Sequence, residues 1–362
     1  MADSGVSRAA VLTGAMRIEL AEFPLPQVSH DDALLAVAAS GICGSDIHYR
    51  AEPDIYPRVL GHEVVGRIAA IGDTAARNWG VDAGDLVAVE SEITCGLCRG
   101  CLRGGYCTGA RYYGCSIPVD VAPSLWGGLA QHMYLAPRSV VTRLDPGISA
   151  ATAGGWFSPL TNAVDWIGPL GADVQPGDTV VILGPGPQGI AACIVAKARG
   201  AAQVIIVGLR RDESRLRAAC ELGADHIVVA DEESTVEAVR RLTDGELADS
   251  VLDVSGADSS AEVAAHLVKR GGAIAAASPL NRPGIVLPVS DMVMKQVRWH
   301  GMRSNRASAA PVAALLLKAH ASKLDPLVTH AFPLEQSSAA IDAIASAAPT
   351  AGNAPIKVVV CP

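Results

Sequence analysis

Two short segments carry the residue types best suited to chemistry. One is Gly41-Ile42-Cys43-Gly44-Ser45-Asp46-Ile47-His48; the other is Gly61-His62-Glu63. The thiolate of Cys43, the imidazole of His62 and the carboxylate of Glu63 are the ligand types that a catalytic zinc takes. Ser45 and His48 sit beside the thiolate, where they can pass a proton toward bulk water. Taken singly, each of these residues is more often structural than functional. Their combination, with a Gly ahead of each segment, favours a metal site.

A second constellation is Cys95-Gly-Leu-Cys98-Arg-Gly-Cys101-Leu-Arg-Gly-Gly-Tyr-Cys107. Four thiolates this close can complete a tetrahedron around zinc and leave no position for substrate. That predicts a structural site holding a lobe with little core of its own. The alternative is four free surface thiols. In a reducing compartment the cluster reads as a metal site rather than a disulfide scaffold.

The third constellation is Gly184-Pro-Gly186-Pro187-Gln188-Gly189, preceded by the apolar run Asp178-Thr-Val-Val-Ile-Leu183 and followed by a helical pattern to Arg199. A strand, a glycine-rich turn and a helix in that order bind a dinucleotide pyrophosphate at the helix N-terminus. The next strand, Gln203-Val-Ile-Ile-Val207, ends at Gly208-Leu209-Arg210-Arg211, with Arg215 further on. Guanidinium groups without a carboxylate at this strand tip suit a 2′-phosphate and favour NADP over NAD. The competing reading pairs these arginines with Asp212 and Glu213 at the start of the next helix.

The elements that position these residues follow from pattern and composition. The chain has 362 residues, 50% hydrophobic and 18% charged, which predicts a globular protein of about two domains. Its net charge of −8 gives no basic footprint for nucleic acid or an anionic membrane. No apolar run long enough to span a bilayer is free of charges or helix breakers, and residues 1–10 lack a signal pattern, so a cytoplasmic location is expected. Short strands with polar breaks over 8–40, 59–71, 80–89 and 127–135 predict a mostly β first part, and a small-residue helix starts near Ala150. From Pro176 strands alternate with helices, with further strands at 226–229, 250–254, 271–278 and 297–302 and helices at 213–222 and 259–269. Six such strands make a doubly wound α/β sheet. Helices at 311–324 and 337–347 and a last strand at 357–360 follow, the strand returning to the first domain.

The zinc segments, the four-Cys lobe and the glycine turn, in this order, resemble the zinc-dependent medium-chain dehydrogenase/reductase family over nearly the whole chain. The likeness is nearest to the sorbitol- and threonine-dehydrogenase branch, and Asn162-Ala163-Val164 after Ser158-Pro159-Leu160 adds to it. The resemblance implies an α/β protein with a discontinuous, mostly-β GroES-like catalytic domain (1–157, completed by 304–362) and a Rossmann domain (158–303). It implies that Cys43 and His62 ligate a catalytic zinc with Glu63 as ligand or close neighbour. Ser45 would bond the substrate hydroxyl and His48 would end the proton relay. The cofactor would lie on Gly184, Gly186, Pro187, Gln188, Gly189, Gly208, Leu209, Arg210, Arg211, Arg215, Ser255 and Ser278, and Cys95, Cys98, Cys101 and Cys107 would hold the structural zinc. The family transfers a hydride between an alcohol and NAD or NADP. Similar proteins pair the last Rossmann strand across a two-fold axis, so a homodimer or homotetramer is expected.

The chain departs from the family pattern at three places. Ser158 stands where the branch has an acidic ligand, and a neutral hydroxyl is a poor zinc ligand. Asp165 stands where the family has a His; Asp165 or Asp46 is a candidate replacement carboxylate. The gap between Cys101 and Cys107 is shorter than usual, and Cys115 is a less suitable substitute fourth ligand for the lobe. Three readings follow: a zinc-assisted dehydrogenase acting on a polyol-, sugar- or hydroxy-acid-like substrate; a reductase of the same fold without catalytic zinc; and a cofactor-bound sensor. Tyr49, Tyr56, Trp126, Trp156, Phe157 and Trp299 are candidates for a substrate pocket or equally for the core.

Overall fold

The computed structural model describes residues 5–51, 57–103, 107–277, 286–345 and 354–362. The chain forms two compact units, one of Met1–Ser158, Leu317–Ala348 and Lys357–Pro362, the other of Pro159–Leu316 and Pro349–Ile356. The division falls inside the helix Ala150–Ile167, where Pro159 interrupts the helical ladder.

The first unit is built on a seven-stranded sheet. Its path runs Val141–Arg143, Leu86–Val89, Glu63–Ile71, Ala33–Gly41, Lys357–Cys361 and Val328–Pro333, with His132–Leu135 pairing onto Ala33–Gly41. The strand Ala33–Gly41 is almost wholly buried, as its unbroken run of Ala, Leu and Val requires at the centre of a sheet. On one side it pairs antiparallel with Glu63–Ile71, setting Gly41 opposite Glu63; on the other it pairs with the C-terminal strand, setting Gly41 opposite Val359. Leu35, Val64, Ile68, Val87 and Met133 make one core cluster; Leu12, Leu60, Leu129, Val358 and Val360 make another. The two metal-type segments thus leave the ends of paired central strands, so side chains distant in sequence converge.

The second unit is a six-stranded sheet in the order His226–Val229, Gln203–Gly208, Thr179–Leu183, Ala248–Asp253, Val268–Ala276, Arg298–Gly301, every neighbouring pair parallel. Val181, Ile205, Val251 and Ile274 fill its interior. Strand order reverses beside Thr179–Leu183, which places the glycine turn at the carboxyl end of the strand where an open α/β sheet binds ligands. The strand predicted over 271–278 starts earlier, at Val268, because Val268 pairs with Ala248 across a register shift; the helix before it stops at Leu267. Among the described residues no helix is long and apolar enough to cross a membrane.

Candidate metal centre and dinucleotide cradle

Cys43 ends the loop after Ala33–Gly41 and opens the helix Gly44–Ala51. Asp46 fixes this helix start: its Oδ2 accepts the backbone N–H of Cys43 at 2.9 Å, and its own N–H donates to the Cys43 carbonyl at 3.0 Å. At the other end the buried Arg50 donates to Asp342 at 2.7 Å and to the Ser338 carbonyl, tying the helix to Ser337–Ala345. Ser45 and His48 are three residues apart on this helix, hence on neighbouring positions of one face.

Polar groups face both ring nitrogens of His62. Asp46 Oδ1 lies 3.4 Å from Nδ1, and the Ser45 hydroxyl lies 3.3 Å from Nε2. Tyr49 packs edge-on against the ring at 6.1 Å. Burial alone would lower the imidazole's pKa, but the Asp46 carboxylate and the Cys115 sulfur outweigh it and raise it well above the usual histidine value. Such a site attracts a cation. Cys43, His62 and Glu63 each offer a ligand atom here, and the three atoms lie within 4.8 Å of one another. The donor set and its spacing fit a zinc ion.

Glu63 brings a partner that sequence reading missed. It forms an ion pair with Lys357, and both side chains are essentially fully buried. Lys357 Nζ also donates to the Ile42 carbonyl at 3.1 Å, so the C-terminal strand braces the loop that carries Cys43. The Glu63 carboxylate folds over Gly41, where any Cβ would run into it. A lone lysine heading the apolar run Val358–Val360 was the available signal. Asp165 is paired within its own unit: Arg306 grips it through Nε at 2.9 Å and through its backbone N–H at 3.0 Å. Trp126 is core, its indole N–H donating to the Val121 carbonyl at 2.7 Å; Trp156 and Phe157 are buried as well. Tyr56 lies outside the described residues.

The lobe brings Cys95, Cys98, Cys101 and Cys107 together with all four sulfurs within 4.8 Å of one another. Backbone N–H groups point at the sulfurs, from Cys95 to Cys107 Sγ and from Cys98 to Cys95 Sγ at 3.3 Å each. Hydrogen bonds from the backbone of Cys101 and Thr108 pull the Cys98 thiol down to about 5, while desolvation and the neighbouring sulfurs of Cys98 and Cys107 push Cys101 up to about 12. Four crowded sulfurs cannot all ionise unaided, and a divalent cation relieves that conflict. The donor set fits a structural zinc.

In the second unit the turn after Leu183 depends on Gly184, whose φ is +103° and whose missing Cβ leaves room for Ser255. Gly189 lies against the Gly184 carbonyl, again with no space for a side chain. Gly186 differs. It is the N-cap of Pro187–Ala198, and a Cβ there would meet only open space. The protein itself leaves that space free, in front of a helix N-terminus that favours anions, which fits a pyrophosphate. Gln188 sits in the first turn with Oε1 buried and unbonded. Gly208 lets Pro185 pack against the neighbouring strand tip. The Ser255 hydroxyl donates to Asp253 at 2.8 Å.

Two of the arginines expected at the strand tip have partners of their own. Arg210 pairs with Glu232, and its backbone N–H donates to Asp231 at 2.8 Å. Arg215 donates to the Pro355 carbonyl at 2.7 Å and lies 3.4 Å from Asp212. Asp212 accepts the backbone N–H of Leu209 at 3.1 Å, so carboxylates do border the tip. Arg211 remains exposed. Ser278 lies outside the described residues.

This pairing of folds and donor sets defines a metal-assisted, dinucleotide-linked oxidoreductase. The chain belongs to the zinc-binding alcohol dehydrogenase family: residues 29–145 match the alcohol dehydrogenase GroES-like domain and residues 187–318 the zinc-binding dehydrogenase domain. It is 39% identical over 331 residues, 88% of each chain, to a protein named as a probable alcohol dehydrogenase of Mycobacterium tuberculosis. It is 30% identical to sorbitol dehydrogenase of Bacillus subtilis over 92% of each chain. Its fold superposes on the crystal structure of an alcohol dehydrogenase from Thermotoga maritima with a TM-score of 0.86 over 99% of both chains, at 25% identity. The protein is an NAD(P)-dependent, zinc-type alcohol dehydrogenase.

Proposed function

We propose that this dehydrogenase interconverts a secondary alcohol of the polyol, sugar or hydroxy-acid class and its carbonyl compound, with Cys43, His62 and Glu63 as the catalytic zinc site. The observation that carries this reading is the convergence of those three ligand atoms within 4.8 Å, with the Ser45 hydroxyl 3.3 Å from His62 Nε2. Zinc, when bound there, supplies a Lewis acid that lets an alcohol lose its proton near neutral pH. A nicotinamide held at Gly184 to Gly189 would supply the hydride chemistry.

The chain's own residues position and relay. Asp46 orients His62 through Nδ1 and leaves Nε2 for the ion. Ser45 hydrogen-bonds the substrate hydroxyl and accepts its proton while giving up its own, and His48 passes the released proton to solvent. Gly184 to Gly189 and the helix start behind them hold the pyrophosphate. The carboxylates of Asp212 and Asp231 beside the tip of Gln203–Gly208 favour a ribose 2′-hydroxyl, and we infer NAD as the preferred form. We assign the catalytic role to the GroES-like portion, 1–157 with 304–362, and the cofactor role to 158–303. The homodimer forms along the edge strand Arg298–Gly301 and the helix Val289–Lys295, which exposes Val289, Val293 and Met294.

A panel of polyols, sugars and hydroxy acids, followed by NADH and NADPH absorbance, tests the reading. Turnover with NAD on at least one secondary alcohol is expected, and Ser45→Ala should lower kcat by about a hundredfold. A second reading, a reductase without catalytic zinc, is favoured by Ser158 and by the commitment of Asp165 to Arg306. One zinc per chain together with carbonyl reduction would select it.

A further inference from the structure

The helix Ala150–Ile167 supplies no further ligand of the expected kind. Ser158 is a neutral hydroxyl, and Asp165 is taken by Arg306. Around Cys43 and His62 the carboxylates are engaged as well: Glu63 with Lys357, and Asp46 with the Cys43 N–H and the His62 ring. A carboxylate neutralised by a buried lysine is a weaker partner for a cation than a free one.

One more ligand-type side chain stands beside this group. The backbone of Gly114 lies directly on that of Gly61, so close that a Cβ on Gly114 would run into the Gly61 carbonyl. Gly114 has φ +67° and donates its N–H to the Trp126 carbonyl at 2.7 Å. The residues that follow the two glycines, Cys115 and His62, therefore leave adjoining stretches of backbone, and the Cys115 sulfur is one of the groups that raise the imidazole's pKa. The guanidinium of the fully buried Arg58 holds the Cys115 carbonyl and the Tyr49 carbonyl together, which fixes this corner from behind. Cys115 is a free, half-buried thiol.

We propose that Cys115 is a second sulfur ligand of the catalytic metal, so that Cys43, His62 and Cys115 hold the ion while Glu63 stays turned toward Lys357. Two thiolates and an imidazole with the fourth position open are an established donor set for a catalytic zinc. They also suit a soft, thiophilic ion better than one thiolate and a lysine-paired carboxylate do. Cys115 lies outside the trio whose ligand atoms are mutually within 4.8 Å; the proposal requires its Sγ to rotate about χ1 toward the ion. The inference rests on the Cys43–His62 metal centre given under Proposed function and puts Cys115 there in place of Glu63.

Cobalt(II) exchanged into the full-length protein reports the sulfurs directly. In Cys115→Ser the thiolate-to-cobalt charge-transfer absorbance should fall by as much as in Cys43→Ser. The apparent affinity of the catalytic ion, from chelator competition, should drop at least about tenfold. Wild-type absorbance and affinity in Cys115→Ser, with both lost in Cys43→Ser, would overturn the proposal and leave the metal centre standing. Retention of the second ion in Cys43→Ser would instead overturn the metal centre itself. A wild-type measurement covers the case of a variant that fails to fold: iodoacetamide labelling read by mass spectrometry. Zinc should protect Cys115 together with Cys43; labelling of Cys115 that is equally fast with and without zinc would refute its ligand role.

Discussion

At the scale of single residues, the buried pair Glu63–Lys357 governs how the metal loop is held. Removing one partner leaves an uncompensated charge in a dry environment, whereas removing both leaves none. Lys357→Met should therefore destabilise the fold by about 3–5 kcal/mol in urea titration, and Glu63→Gln in the same chain should restore much of that loss. If the single variant is as stable as wild type, the pair does not brace the loop. The metal-type residues were legible in the sequence because Cys43, His62 and the four lobe cysteines are local patterns. Lys357 was not, because it meets Glu63 only through the pairing of strands nearly three hundred positions apart. Cys115 was hidden for the same reason: only the Gly61–Gly114 backbone contact sets it beside His62. Arg215 reads as a phosphate ligand from its neighbours, yet its guanidinium is claimed by a carbonyl from the far end of the chain, Pro355.

At the scale of elements, alternation and continuous apolar runs located the strands, since a strand's burial is written in its own residues. The boundary at Val268 was not legible, because its pairing with Ala248 decides it. The lobe shows the opposite dependence: little core holds it, so its sulfurs must. Cys98→Ser is expected to lose one zinc per chain by elemental analysis and to make residues 95–107 the first site of limited proteolysis. Full zinc content in that variant would argue against the lobe as a metal site. The start of the helix Ala150–Ile167 is tied to Asp325, which accepts the Ser149 hydroxyl at 2.9 Å and the Thr152 hydroxyl. Bonds from Thr152 and Ser149 hold the Asp325 carboxyl below the usual carboxylate range. Its stabilising effect is therefore complete above the ordinary value of about 4 and is lost as pH falls toward the lowered one. Asp325→Asn should cost under about 1 kcal/mol at pH 7, given its exposure to solvent, and progressively less as pH falls through the lowered value. A stability difference that grows on acidification would contradict this sign.

At the scale of the molecule, Val289, Val293 and Met294 are exposed apolar residues, and Arg298–Gly301 ends its sheet among the described residues; the proposed dimer would cover both. Light scattering should show a dimer or a larger even assembly, and Val293→Glu with Met294→Glu should yield monomers. A monomeric wild type would dismiss that interface. The decisive question is whether a zinc ion at Cys43 and His62 drives NAD(P)-linked alcohol oxidation. The most direct measurement is metal content and turnover, made together on wild type and Cys43→Ser. Two zinc ions per chain in the wild type are expected, falling to one in the variant, with kcat/KM lower by about a thousandfold, as expected for several kcal/mol of lost Lewis-acid assistance. Wild-type turnover in a variant that holds only the lobe zinc would contradict it.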